Sequence, residues 1–108
     1  MYKNKLFGIN DTIDKCVELI NNLCDSEHNI FFNLCKLDDV GIALINLQFE
    51  INNPHLDLVE VQKLFKEIKE FDPDYKNDSN SSEKWEDLPS FSTWQHLLIK
   101  LEDLLKIE

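Results

Sequence analysis

The sequence contains no arginine: all 11 basic residues are lysines, set against 21 Asp and Glu for a formal net charge of -10 over 108 residues. Arginine's planar fork is the usual reader of phosphate and guanine, and a surplus of negative charge repels polyanions at long range. Direct nucleic-acid binding is therefore not expected, nor is docking on an anionic membrane. Glycine is almost as scarce, with 2 residues, and proline numbers 3. Sandwiches and barrels need glycine-rich turns, so the shortage argues for helices joined by short loops. Gly8 and Gly41 stand alone and offer no phosphate cradle. No stretch approaches the ~18 uninterrupted apolar residues of a membrane span. The first ten residues carry Lys3 and Lys5 without the apolar run of a signal peptide.

Cysteine is sparse and odd in number. Cys16, Cys24 and Cys35 lack CxxC spacing, and Cys16 and Cys24 on one helix would stand about 12 Å apart, too far to bridge. All three have apolar neighbours, where a free thiol behaves as a small hydrophobe. A reducing, cytosolic setting is the expectation.

What is present is enough to fold. Hydrophobic residues make up 43% and charged ones 30%, a balance that buries a core and excludes wholesale disorder. The length fits one domain, residues 1–108. Four segments read as helices. In residues 11–24, Ile13, Cys16, Val17, Ile20, Leu23 and Cys24 share one face, with Asn10 or Asp11 as cap. Residues 26–53 are ambiguous. Ile30, Phe31, Leu34 and Cys35 fit a helix started by Ser26, and Val40, Ala43, Leu44, Leu47 and Ile51 fit another started by Asp38. Yet residues 45–51 alternate apolar and polar as a strand does, with 30–37 as the sole, poorly alternating partner. Helices are the preferred reading.

The third helix is the best specified. Asp57 is its N-cap with Glu60 as reciprocal partner, Leu56 and Val61 form a staple, and Leu58, Val61, Leu64, Phe65, Ile68 and Phe71 form its buried stripe. Lysines 63, 66 and 69 and acids Glu67 and Glu70 lie on its wet side, and Asp72-Pro73 stops it. The short link at 52–55 implies that it folds back on its predecessor. The last helix starts near Ser90 or Ser92, where Ser92 and Gln95 make a capping-box pattern. Its core stripe is Trp94, Leu97, Leu98, Leu101, Leu104 and Leu105. The expected fold is all-α, a single compact bundle of four to five helices with a long acidic surface loop at 72–90.

That loop changes character. Residues 77–82 are polar and helix-breaking, and carboxylates outnumber lysines around Tyr75 and Trp85. A loop this long in a compact domain is functional or disordered. Acids interspersed with aromatics suit the capture of a basic surface: aromatics anchor, and acids steer and pair. The competing reading makes Trp85 and Leu88 core plugs and leaves the acids merely solvated. Asp38 and Asp39, with Glu27 and Glu50, offer a second patch, although helix capping explains Asp38 and Asp39 more economically.

Other chemistries fit poorly. Asp72, Asp74, Asp78, Asn80 and Glu83 fall at EF-hand ligand positions, but Lys76 stands where a ligand belongs and Asn77 where glycine does. Cys24, His28 and Cys35 lack a fourth zinc ligand and a standard spacing. His28, His55 and His96 adjoin no nucleophile turn, and His96 reads as a partly buried packing residue. No enzyme, metal or cofactor is expected.

A small, acidic, arginine-free helical domain without catalytic motifs resembles the bacterial toxin-immunity proteins, with those of colicin and contact-dependent growth-inhibition systems the nearest type. The resemblance lies in size, charge and helical character over the whole chain. It implies a cytoplasmic protein that neutralises a basic partner, a nuclease toxin domain, by stoichiometric capture, its carboxylates standing in for substrate phosphates or blocking access from beside the site. The expected partner-binding residues are Asp72, Asp74, Tyr75, Asp78, Glu83, Trp85, Glu86 and Asp87, with Asp38 and Asp39 as the second patch. The alternative is a helical adaptor or regulatory subunit acting through an apolar groove or self-association.

Overall fold

Apolar residues spaced three and four apart give each of four segments a face that water excludes. A computed structural model describes residues 4–25, 32–75 and 84–106. It contains α1 (Leu6–Asp25), α2 (Leu34–Ile51), α3 (Leu58–Lys69) and α4 (Pro89–Leu105), with a 3-10 turn over Trp85–Asp87 and no strand among the described residues. The all-α bundle is therefore what forms. α2 packs on both α1 and α3, and α1 packs on α4. One core cluster joins all four helices, with Ile13, Leu37, Leu44, Leu47, Ile68 and Leu101 fully buried within it.

Polar pairs fix the alignment of these helices. The Asn10 and Asn52 side-chain amides each donate to the other, at 3.2 and 2.9 Å, and Gln48 donates to Asp14 at 3.1 Å. These contacts join the start of α1 to the end of α2, so the two run antiparallel. At the far side, Lys5 donates to the Lys106 carbonyl at 3.1 Å, which sets α4 antiparallel to α1.

Several boundaries differ from the sequence expectation, each for a local reason. α1 begins at Leu6, because Leu6 and the fully buried Ile9 extend the apolar stripe by more than a turn. Asn10 and Asp11 thus lie inside the helix, where Asp11 pairs with Lys15 at 3.1 Å instead of capping. α2 begins at Leu34, not near Asp38. Asn33 is its cap, with Oδ1 accepting from the N–H groups of Cys35 and Lys36 at 3.0 and 3.4 Å. Asp38 and Asp39 therefore sit in the second turn and cap nothing. Ser26, Ile30 and Phe31, expected to begin an earlier helix, lie outside the described residues.

Asp57 caps α3 as expected, accepting from the Val59 N–H at 3.0 Å. Its own N–H donates to Glu50 at 2.8 Å, so α2 supplies the reciprocal carboxylate that Glu60 was expected to provide. α4 starts at Pro89, a residue preorganised for the first helical position, and Ser92 falls within its first turn.

The described parts of the 72–90 segment, residues 72–75 and 84–90, are held closer to the bundle than a free surface loop. Pro73 is buried and its carbonyl accepts from the Asn33 N–H at 2.9 Å, tying the segment to the start of α2. Trp85, 6% exposed, meets Phe32, Phe71 and Phe91 edge-on with ring centroids 5.9, 6.2 and 5.5 Å away. Each such pair contributes about 0.5–1.5 kcal/mol beyond its buried area. Tyr75 rests on Phe32 at 5.0 Å. The aromatics of this segment thus hold it to the bundle.

Two stability measurements check this description. Trp85→Ala should lose about 3–5 kcal/mol in urea denaturation, as a core aromatic does; an exposed anchor would lose almost nothing. Gly41→Ala, within α2 and with open space where its Cβ would stand, should gain about 0.5–1 kcal/mol.

Candidate functional site

α2 is apolar on two sides. Leu37, Val40, Ala43, Leu44, Leu47 and Ile51 face the core. At about 100° per residue, positions 42, 45 and 49 point the opposite way, and Ile42, Ile45 and Phe49 are 57%, 44% and 72% exposed. The alternation at 45–51 that mimics a strand is the trace of this double-sided helix. Leu47 and Ile51 belong to the core face, Ile45 and Phe49 to the outer one.

Carboxylates gather beside that outer stripe. A groove of about 510 Å³ between α2 and the end of α3 is lined by Asp39, Ile42, Asn46, Glu67, Glu70 and Asp72, with Lys36 as its one cation. The groove follows from the chain's local logic. The antiparallel hairpin of α2 and α3 sets Glu67 and Glu70 opposite the start of α2. The Asn33–Pro73 hydrogen bond then draws Asp72 to the same end. A second depression of about 530 Å³ continues along the seam, lined by Asn46, Phe49, Glu50, Glu60 and Leu64 among others. Asn46 belongs to both. The result is a trough with carboxylates on both walls, Asp39 and Glu50 on the α2 side and Glu60, Glu67 and Glu70 on the α3 side, beside the apolar ridge on the outer face of α2.

Two of the residues expected at an interface, Asp39 and Asp72, therefore meet in one groove, although they were read as parts of separate patches. Asp38 is exposed one position away. Asp74 is exposed, holds a left-handed backbone with φ 55, and donates its N–H to Asp72 Oδ1 at 2.9 Å. Glu86 and Asp87 are exposed on the 3-10 turn, where Asp87 accepts from the Lys84 N–H at 3.0 Å. Trp85 is a core residue, so its expected role as an anchor is corrected. Tyr75 is half-buried against the core. Asp78 and Glu83 lie outside the described residues, as do Glu27, Asn80 and His28. His96 is exposed, contrary to the packing role expected of it.

Glu67, Glu70, Ile42, Ile45 and Phe49 were not singled out by sequence. The first two read as a solvated helix face, and only the α2–α3 hairpin gives them neighbours. The short connection before α3 was the available signal for that pairing. The three apolar residues were signalled by the 45–51 alternation, which pulled toward a strand instead.

Among the described residues, none of Asp39, Glu67, Glu70 and Asp72 is in an ion pair, whereas Asp11, Glu102 and Asp103 are. No three His, Cys, Asp or Glu side chains among the described residues converge to hold a metal. No described helix is long and apolar enough to cross a membrane. A further concavity of about 540 Å³ lies between α1 and the start of α4, lined by Leu19, Leu23, Phe32, Leu88, Pro89 and Leu97 among others. No known protein family, curated protein or solved structure matches the chain.

The thiols grade from inert to open. Burial pushes Cys16 up to about 12. Cys24 is raised by burial and then by the carboxylates of Asp38 and Asp25. Cys35 is exposed. Since the thiolate is the reacting species, a thiol reagent near neutral pH should modify Cys35 first and Cys24 more slowly. Cys16 should react only on unfolding. Peptide mapping by mass spectrometry reads the order, and rapid labelling of Cys16 in the native protein would contradict its burial.

Proposed function

We propose that the protein binds and neutralises a basic protein by stoichiometric capture, in the manner of an immunity protein that inhibits a nuclease toxin, and that it does no chemistry of its own. One observation carries the reading. Asp39, Glu67, Glu70 and Asp72 share a groove with a single lysine and no ion-pair partner among the described residues, beside exposed Ile42, Ile45 and Phe49. Unpaired carboxylates around apolar side chains are the complement of a surface that binds a polyanion: cations to meet phosphates, and apolar contacts between them. The net charge of -10 adds long-range steering toward such a partner. Three reduced thiols fit a cytoplasmic setting.

The second reading, a helical adaptor, draws on the apolar concavity between α1 and α4, which binds without charge. Salt separates the two. Exposed charges are screened over about 10 Å at 0.1 M salt and about 3 Å at 1 M. Partners retained by the tagged protein should therefore be basic, bind at one-to-one stoichiometry and lose on-rate steeply as salt rises. The combined variant Asp39→Asn, Glu67→Gln, Glu70→Gln and Asp72→Asn should keep its helicity and lose at least about tenfold in affinity. Glu86→Gln with Asp87→Asn, on the 3-10 turn, should lose less. A partner that stays bound near 1 M salt and ignores the groove variant would favour the adaptor.

A further inference from the structure

Three apolar side chains on the outside of a central helix need a reason. Ile42, Ile45 and Phe49 recur at i, i+3 and i+7, so they form one ridge about 10 Å long on α2. The trough beside it is elongated, because its two depressions share Asn46. Carboxylates outnumber the single lysine, Lys36, along its walls: Asp39, Glu67, Glu70 and Asp72 stand at one end, Glu50 and Glu60 at the other. A partner that fills this shape must present apolar side chains in a line with cations beside them. An amphipathic helix does so at a spacing of i, i+3 or i+4, and i+7.

We infer that the α2–α3 trough docks a cationic amphipathic helix, whose apolar stripe covers Ile42, Ile45 and Phe49 and whose flanking lysines or arginines meet the carboxylates of both walls. The inference rests on the capture reading and specifies the segment of the partner that this site takes. Charge decides against a second copy of the chain. Parallel pairing of two α2 ridges would set Asp38 and Asp39 against themselves. Antiparallel pairing would set them against the end of α2, which carries Glu50 and no basic residue in its last turn. Either alignment brings more carboxylates together than the single Lys36 of each α2 can offset, at a cost that a cationic helix turns into a gain.

The test uses the full chain and a synthetic peptide of about 18 Leu and Lys residues, with leucine at helical spacing. Its control is a scrambled peptide of identical composition and charge. The periodic peptide should bind with ordered helicity by circular dichroism, and at least tenfold more tightly than the scrambled one. Phe49→Ala, at an exposed position that leaves the fold intact, should weaken it at least tenfold. The four-carboxylate groove variant should weaken it and flatten its salt dependence. Equal binding of both peptides with no effect of Phe49→Ala would overturn the helix while leaving capture by charge standing. A loss on Leu97→Ser but not on Phe49→Ala would move docking to the α1–α4 concavity and overturn it too. So would a chain that sediments as a dimer and becomes monomeric on Phe49→Ala, since a second copy would then cover the ridge. If neither peptide binds, the inference falls, and salt-sensitive recovery of a folded basic protein judges the capture reading separately.

Discussion

Burial of the inner face of α2 is the constraint on which everything else depends. That helix packs on α1 along one flank and on α3 along the other, and its Leu37, Leu44 and Leu47 are wholly withdrawn from water. A fully buried leucine is worth about 1.5–3 kcal/mol, against a net stability for small domains of about 5–15 kcal/mol. With its inner face fixed, the orientation of its outer face is fixed as well. The exposed ridge is therefore held by a helix whose opposite face is buried in the core, and not by a loop.

Asn33 is the second determinant, and it works through two groups at once. Its side chain caps α2 while its backbone N–H holds the carbonyl of Pro73. The first contact sets where the helix begins, and the second brings the segment after α3 to that beginning. Asp72 consequently stands beside Asp39 although the two are far apart in the chain. The aromatic cluster around Trp85 secures the rest of the described segment, so the acids on it project from a braced surface.

Much of the architecture was legible in the sequence, because a buried stripe at helical spacing has one solution. The stripes of α1, α3 and α4 and the cap at Asp57 follow from local patterning alone. What failed was whatever depended on a neighbour. The reciprocal carboxylate for Asp57 comes from Glu50 on another helix, and no local motif announces that. Asn33 does not resemble a helix start when Ser26 and Asp38 compete for the role. The site was half legible: Asp39 and Asp72 were singled out for their charge, but their convergence required the hairpin. Trp85 was weighed both as anchor and as core plug, and only the arrangement of Phe32, Phe71 and Phe91 settles its place. α2 was hard to read because a helix with apolar residues on two faces has a weak amphipathic signature and, over seven residues, imitates a pleat.

The same ridge makes the protein dependent on its own electrostatics to stay dispersed. Repulsion between like-charged molecules keeps Ile42, Ile45 and Phe49 of one copy away from those of the next, and that barrier vanishes as the medium approaches the isoelectric point near pH 4.6. Acidification would then leave the exposed apolar ridge without that protection. The surplus of carboxylates thus acts as a colloidal guard for a hydrophobic edge that would otherwise have no business facing water.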